Sequence, residues 1–477
     1  MNIEDKKNYI YNIIYRLSIM ILPLVVTPYI ARILDATNVG LYAFSSTIVC
    51  YFILFSKLGL DNYGNRSIAF CREDKKKRSE VFFSIYIMQI ITSLLSITIY
   101  LILCFTVFKK DSVIYFIQLM YLMSALFDIS WFFYGIERFS ITTIRSIISR
   151  VLIIIFVFIF VKSREDLWIY TLIMAGNFLL EQLILLPFSI KYLTKVKIGI
   201  KDITRHIIPN LKLFIPLLAL SIYVWMDKLM LGIMVSGTAV VAYYTYAENI
   251  INLPKGILSA LDTVMMPKIS YLVSKDMHNE AIDKISNSLR INSFIACALC
   301  FGIAGISPIF VPWFLGNQYT KTISITIALS AVMIPMSITN VIQTQYLIPF
   351  SKEKVYIKAV IIGASINLIL NIILIPKLGA FGAVIGTFAA ELLVCSYELY
   401  SIRRIYRLRQ LAEVLIPFMI CGLIEFILVY KLGRLPMKTL YLLILQISVG
   451  GFVYIAMASA YLLYISKGYK DLIIKKK

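Results

Sequence analysis

Charge is scarce in this sequence: Asp, Glu, Lys and Arg together make up only 15% of its 477 residues. A water-soluble domain carries about 25%. With 60% hydrophobic residues and a mean hydropathy of +0.83, the apolar surface is too large to hide in a soluble core. That excludes a soluble enzyme with a single anchor and leaves no room for a large extramembrane domain. Histidine is almost missing. His206 and His278 stand too far apart in sequence to suggest a metal site. The seven cysteines form no disulfide framework: Cys50, Cys104, Cys297, Cys300, Cys395 and Cys421 fall in apolar runs, and Cys71 lies in a basic loop. Cys297 and Cys300 make a CxxC without a second pair, inside a predicted membrane helix, and read as small packing residues. No GxxxxGK[ST] occurs, so nothing supports ATP hydrolysis. Gly379, Gly382 and Gly386 open an apolar helix, where small residues serve packing rather than a dinucleotide. No cofactor is expected. Asn65-Arg66-Ser67 has the glycosylation pattern but falls in a predicted cytosolic loop, and no cleavable leader is expected because Met1–Asn8 runs straight into a long apolar stretch.

What the chain does contain is apolar runs of helical length. They fall near residues 8–33, 41–63, 81–108, 113–135, 143–162, 167–190, 207–234, 239–267, 291–313, 322–349, 357–376, 381–402, 412–432 and 439–465. At roughly 33 residues for a crossing and its loop, the length allows about fourteen spans. Barrel strands would be about ten residues long with strict alternation, so the expected fold is all-α and polytopic. The expected layout is an N-terminal lobe over residues 1–200, a C-terminal lobe over 201–410 and a helix pair with a basic tail over 411–477. The stretch Pro267–Arg290 has the spacing of a short amphipathic helix at the membrane surface.

The net charge of +21 would point to nucleic acid in a soluble protein, but in a polytopic one it reads as cationic loops facing an anionic leaflet. Nucleic acid is not an expected partner; the bilayer is. Of the 47 Lys and Arg, 32 fall in the alternate segments that are cytosolic if the N-terminus is cytosolic, and 10 fall in the other set. This asymmetry predicts both termini in the cytosol and an even number of crossings.

Charges within a span cost a few kcal/mol each on insertion scales and need partners or water. The eighth run is the most informative: Glu248, Asn252, Lys255, Ser259 and Asp262 follow steps of 4, 3, 4 and 3, so they share one helix face. Such a face is expected to line a water-filled cavity. Asn12 and Arg16 share a face in the first run, Lys57 and Asp61 in the second. Asp128 lies in the fourth, Glu181 in the sixth, Asp227 and Lys228 in the seventh, and Glu391 aligns with Thr387 and Glu398 in the twelfth. Cations in such a cavity suit an anionic substrate. Arg16, Lys57, Lys228 and Lys255, with Asn12 and Asn252, are therefore the candidate substrate-binding residues. The acids Asp61, Asp128, Glu181, Asp227, Glu248, Asp262 and Glu391 are candidates for cavity or ion-coupling roles, with H⁺ or Na⁺ as the coupling ion. The halves also echo one another: Pro23 and Pro28 interrupt the first run, Pro209 and Pro216 the seventh, and Asp35–Tyr42 is matched by Ser236–Tyr243. Duplicated halves with Pro-interrupted helices are a transporter signature.

Several motifs in order carry a resemblance. They are Pro23…Pro28-Tyr29-Ile30-Ala31-Arg32 with Gly40-Leu41-Tyr42; Gly59-Leu60-Asp61…Gly64-Asn65-Arg66; Asp227-Lys228-Leu229-Met230-Leu231-Gly232…Tyr243…Ala247-Glu248; Met266-Pro267; and Asn367…Asn371…Pro376-Lys377-Leu378-Gly379-Ala380-Phe381-Gly382-Ala383. The chain resembles bacterial polysaccharide flippases, the O-antigen and capsule oligosaccharide translocases of the multidrug/oligosaccharidyl-lipid/polysaccharide exporter superfamily. The resemblance implies a fold of two six-helix lobes around a cavity with two further C-terminal helices. It also implies an undecaprenyl-pyrophosphate-linked oligosaccharide as substrate, moved from the cytosolic to the outer leaflet of the inner membrane by alternating access. A polysaccharide polymerase and glycosyltransferases are the implied pathway partners. A lipid II flippase of the same superfamily shares this layout. A drug or cation exporter more often stops at about twelve spans, and a membrane-embedded polymerase is expected to show a large outer loop that this chain lacks.

Overall fold

The computed structural model describes residues 22–403 and 408–474, and all regular structure among them is helical. The helices are α1 (Leu22–Ile33), α2 (Ala36–Lys57), α3 (Leu60–Ala69), α4 (Lys75–Thr106), α5 (Ser112–Phe127), α6 (Ser130–Gly135), α7 (Phe139–Phe160), α8 (Leu167–Ile190), α9 (Ile200–Thr204) and α10 (Ile207–Met234). They continue as α11 (Ala239–Ser274), α12 (His278–Leu315), α13 (Thr320–Ser330), α14 (Met333–Val341), a π-turn over Ile342–Leu347, α15 (Glu353–Leu378), α16 (Ala380–Ile402), α17 (Leu408–Leu432) and α18 (Thr439–Ile474).

Eleven helical stretches are long and apolar enough to cross a bilayer, and the pair Asn317–Ser330 and Met333–Leu347, bent by 41°, makes up to twelve. The chain is therefore an all-α, multi-pass membrane protein. The expected fourteen is not reached on these criteria. Only Leu22–Ile33 of the first run is described, and α11, though 36 residues long, is diluted by Glu248, Lys255, Asp262 and Lys268.

The helices are built inside-out relative to a soluble protein. On α4 the buried positions include Ser84, Gln89, Ser93, Ser96, Tyr100 and Cys104. Its exposed positions include Ile91, Leu94, Leu95, Ile102 and Phe105. Hydrocarbon solvates the large apolar face as well as protein would, so small and hydrogen-bonding residues hold the helices together instead.

By packing, the chain forms two compact units, one running up to Gly232 and including Ser236–Ala242, the other comprising Ile233–Val235 and Tyr243 onward. In the sequence layout α10 opens the C-terminal lobe, whereas its contacts place it in the first unit. The reason is close approach: a Cβ on Gly59 would lie 2.6 Å from the Asn210 carbonyl oxygen, and Tyr51 on α2 donates to Ser221 O at 3.3 Å. The two segments of the internal echo also meet in this unit. Thr238 Oγ1 donates to Thr37 O at 2.7 Å, and a Cβ on Gly40 would fall 1.8 Å from the Thr238 carbonyl oxygen. Only glycine fits there.

Two spans of the first unit are broken. The second run divides at Leu58, whose φ of 51° is unusual for a residue with a side chain, and Gly59 then caps α3. The fourth divides after Asp128, whose extended backbone ends α5 before α6 begins. Gln89 on α4 satisfies the carbonyls that the second break releases: its Nε2 donates to Ala125 O at 2.6 Å and Asp128 O at 2.9 Å. Its Oε1 accepts from Trp131 Nε1 at 3.1 Å. Unpaired carbonyls in hydrocarbon cost several kcal/mol each, so this one amide holds the break in place.

The expected surface helix over Pro267–Arg290 does not exist as a separate element. α11 runs on to Ser274 and α12 begins at His278, joined by a turn with Asp276 at φ 57°. Of the apolar residues Ile282, Ile285 and Leu289 whose spacing suggested a lipid-facing side, the last two are used for packing: with Ala281 they bury in one cluster with Ile269, Leu272 and Tyr346.

Candidate functional site

In the first unit the breaks bring charges together. Lys57 closes α2, and its Nζ lies 2.5 Å from Asp61 Oδ1 and 2.7 Å from Asp128 Oδ2. Lys57 and Asp128 are largely buried, whereas the Asp61 side chain is 61% exposed. Asp128 Oδ1 also accepts from Ser130 N at 2.9 Å, so the carboxylate binds the first backbone N–H of α6 while it holds the lysine. One cation shared by two acids leaves the cluster with a net negative charge and one acid facing outward.

A second cluster lies between α7 and α8. Arg145 Nη1 donates to Glu181 O at 3.1 Å and Gln182 Oε1 at 3.0 Å. Its Nη2 is 3.8 Å from Glu181 Oε2. Glu181 thus faces a guanidinium that reads only as a loop charge in the sequence. Asp227 is buried on α10 within electrostatic reach of Tyr51, and Lys228 lies within reach of Cys50, both on α2. On the same helix as Cys50, Ser46 Oγ accepts from Gln118 Nε2 of α5 at 2.7 Å.

In the second unit the α11 stripe is one helix face, but its members differ. Asn252 and Ser259 are exposed and Lys255 is half-buried. Glu248 and Glu391 are the acids within electrostatic reach of Lys255. Glu391 on α16 is buried. Asp262, at the end of the stripe, is also buried and accepts from Gln345 Nε2 at 3.0 Å. Gln345 sits on the π-turn, and two residues earlier Gln343 Nε2 donates to Glu398 Oε1 at 2.8 Å. The widened turn aims neighbouring amides at carboxylates on two different helices. The stripe is therefore open in its middle and built into the protein at the Asp262 end.

Asn12 and Arg16 lie outside the described residues. The structure brings Lys57, Asp61 and Asp128 together in one unit and Glu248, Lys255 and Glu391 in the other. Gln89, Arg145, Gln343 and Gln345 are the polar partners that charge-based reading of the sequence passes over. Their signal is an uncharged amide, or an arginine near a span end, inside a run that is otherwise apolar. Among the described residues no three His, Cys, Asp or Glu side chains are grouped to hold a metal ion. What such faces can do is solvate a polar, charged group within the membrane while apolar flanks face lipid.

Comparison with known proteins agrees with this architecture. The chain is 27% identical over 404 residues to a protein of Escherichia coli (strain K12) described as an O-antigen transporter, covering 83% of this chain and 96% of that one. It is 28% identical over 182 residues to a protein of Haloferax volcanii described as a low-salt glycan biosynthesis flippase, Agl15, covering 38% of each. Among solved structures it matches the lipid II flippase MurJ in an inward closed conformation with a TM-score of 0.74 at 17% identity, over 98% of this chain and 99% of that one. An inward-facing multidrug resistance MATE transporter of the MOP superfamily matches with a TM-score of 0.57 at 16% identity, over 82% of this chain and 94% of that one. At such identities these likenesses speak to fold alone. The family model for polysaccharide biosynthesis proteins matches residues 6–273. With its helical membrane fold and more than half its length within that match, the chain belongs to the polysaccharide biosynthesis protein family.

Proposed function

We propose that the chain is a flippase for a lipid-linked glycan, not an enzyme. It would move an undecaprenyl-pyrophosphate-linked repeat unit from the cytosolic to the outer leaflet of a bacterial inner membrane, for O-antigen or capsule synthesis, by exposing its polar helix faces to the two sides in turn. The observation that carries the reading is the α11 face: Asn252 and Ser259 exposed and Lys255 half-buried on a 36-residue helix within a chain of apolar spans. A glycan headgroup needs such a face, and the prenyl tail needs only lipid. In this reading Lys57, Lys228, Lys255, Asn252, Asn12 and Arg16 meet the pyrophosphate and sugars. Asp61, Asp128, Glu181, Asp227, Glu248, Asp262 and Glu391 balance those cations or carry a coupling H⁺ or Na⁺. The relatives described as an O-antigen transporter and a glycan flippase support the substrate class. The loop-charge asymmetry supports cytosolic termini, and the pathway supplies glycosyltransferases upstream and a polymerase downstream.

The test is complementation of an Escherichia coli strain deleted for its O-antigen transporter, engineered to make the cognate lipid-linked glycan, beside a strain depleted of its lipid II flippase. Restored surface polysaccharide in the first strain alone is the expected result. Rescue of the second alone would reassign the substrate, and rescue of neither would remove the flippase reading.

A further inference from the structure

We propose that a cleft between α11 and α12, separate from the polar face of α11 assigned above, binds a phosphate group. The cleft has a volume of about 200 Å³ and is lined by Met265 and Lys268 from α11 and by Lys284, Asn287, Ile291 and Asn292 from α12. That volume far exceeds the ~30 Å³ share of one water molecule. Asn292 is the informative residue. It is 1% exposed, and neither its Nδ2 nor its Oδ1 has a hydrogen-bond partner among the described residues. A buried amide left in that state is costly, so its presence in the wall of a largely apolar cleft that also carries two lysines points to a ligand oxygen. Two lysines beside it set the sign of that ligand. Lys268 is exposed, and the half-buried Lys284 places its Nζ 3.2 Å from Oε1 of the exposed Glu280, an i,i+4 pair that an anion can outcompete. The nearby acid Asp262 is already engaged by Gln345.

Depth points the same way. Asn292 lies 23 residues before Leu315, roughly 35 Å along the helix at 1.5 Å per residue, against a hydrocarbon core of about 30 Å. Counted from Leu315, the cleft therefore lies at or beyond the end of a hydrocarbon-length stretch of α12, where phosphate headgroups are expected. A lipid phosphate and a free phosphate share this chemistry.

The full-length protein in detergent separates the two sources by native mass spectrometry and thermal shift with phosphatidylglycerol, with diacylglycerol carrying the same chains, and with inorganic phosphate. Retention of phosphatidylglycerol but not diacylglycerol is expected, weakened at least tenfold in the Lys268→Gln/Lys284→Gln double variant. Asn292→Asp keeps the shape but turns a carboxylate on the phosphate, and should weaken retention as much. Lys268→Gln alone, on an exposed position, serves if the others do not fold. A lysine-dependent shift with inorganic phosphate alone would assign the site to free phosphate. Equal retention of diacylglycerol with no effect of inorganic phosphate, or phosphate binding undiminished in all the variants, would overturn the proposal. None of these readouts depends on transport, so the proposal stands or falls separately from the flippase reading.

Discussion

The Lys57 ammonium lies 2.7 Å from Asp128 Oδ2 and so ties the break between α2 and α3 to the break between α5 and α6. Each residue ends its own helix, so the ion pair joins two places in the first unit where a span is broken.

Removing one partner should cost more than removing both. Asp128→Asn leaves a largely buried ammonium whose remaining partner, Asp61, is 61% exposed. The expected loss is about 3 kcal/mol, the scale for breaking a buried pair. The Lys57→Met/Asp128→Asn double variant should recover part of that loss. A double-mutant cycle on unfolding in detergent measures it, and additive losses would show the pair to be uncoupled.

Gln89→Leu should destabilise the second break directly. It removes the donor to Ala125 O and Asp128 O and the acceptor for Trp131 Nε1. At about 1–3 kcal/mol for each buried group left unpaired, the yield of folded protein in size-exclusion chromatography should drop sharply. Gln89→Glu should fare no better, since a carboxylate cannot donate to those carbonyls.

Gly40→Val should prevent assembly of the first unit, because its Cβ would meet the Thr238 carbonyl oxygen at 1.8 Å. Thr238→Ala should be mild by comparison, losing one exposed hydrogen bond to Thr37 O worth about 1 kcal/mol. Melting temperatures of the two variants distinguish backbone crowding from loss of a side-chain contact.

On α11, Lys255→Gln should reduce transport at least tenfold with little change in melting temperature, since the side chain is half-buried and not built into a core. Lys255→Arg should retain part of the activity. Asp262→Leu should lower both transport and stability, because Gln345 then loses its acceptor in a buried position. A vesicle flipping assay run beside thermal unfolding separates the two roles.

The periodicity and composition determined the all-α, multi-pass character, and the α8, α10 and α16 runs were legible to within a residue or two because apolar length is a one-dimensional signal. The polar stripe of α11 was legible for the same reason: Glu248, Asn252, Lys255, Ser259 and Asp262 share a face by spacing alone. The breaks at Leu58 and Asp128 were not, because a backbone turn inside a span depends on another helix to satisfy it: Thr92 donates to Ser56 O beside the first, Gln89 to Ala125 O and Asp128 O at the second. Nor could spacing tell that Ala281, Ile285 and Leu289 face Ile269 and Leu272 rather than lipid, since a helix surface reads alike against either apolar neighbour. Hydropathy reports how much a residue avoids water. Which carboxylate meets Lys57, and which amide meets Asp262, is a matter of distances between segments far apart in the chain, and only tertiary packing decides it.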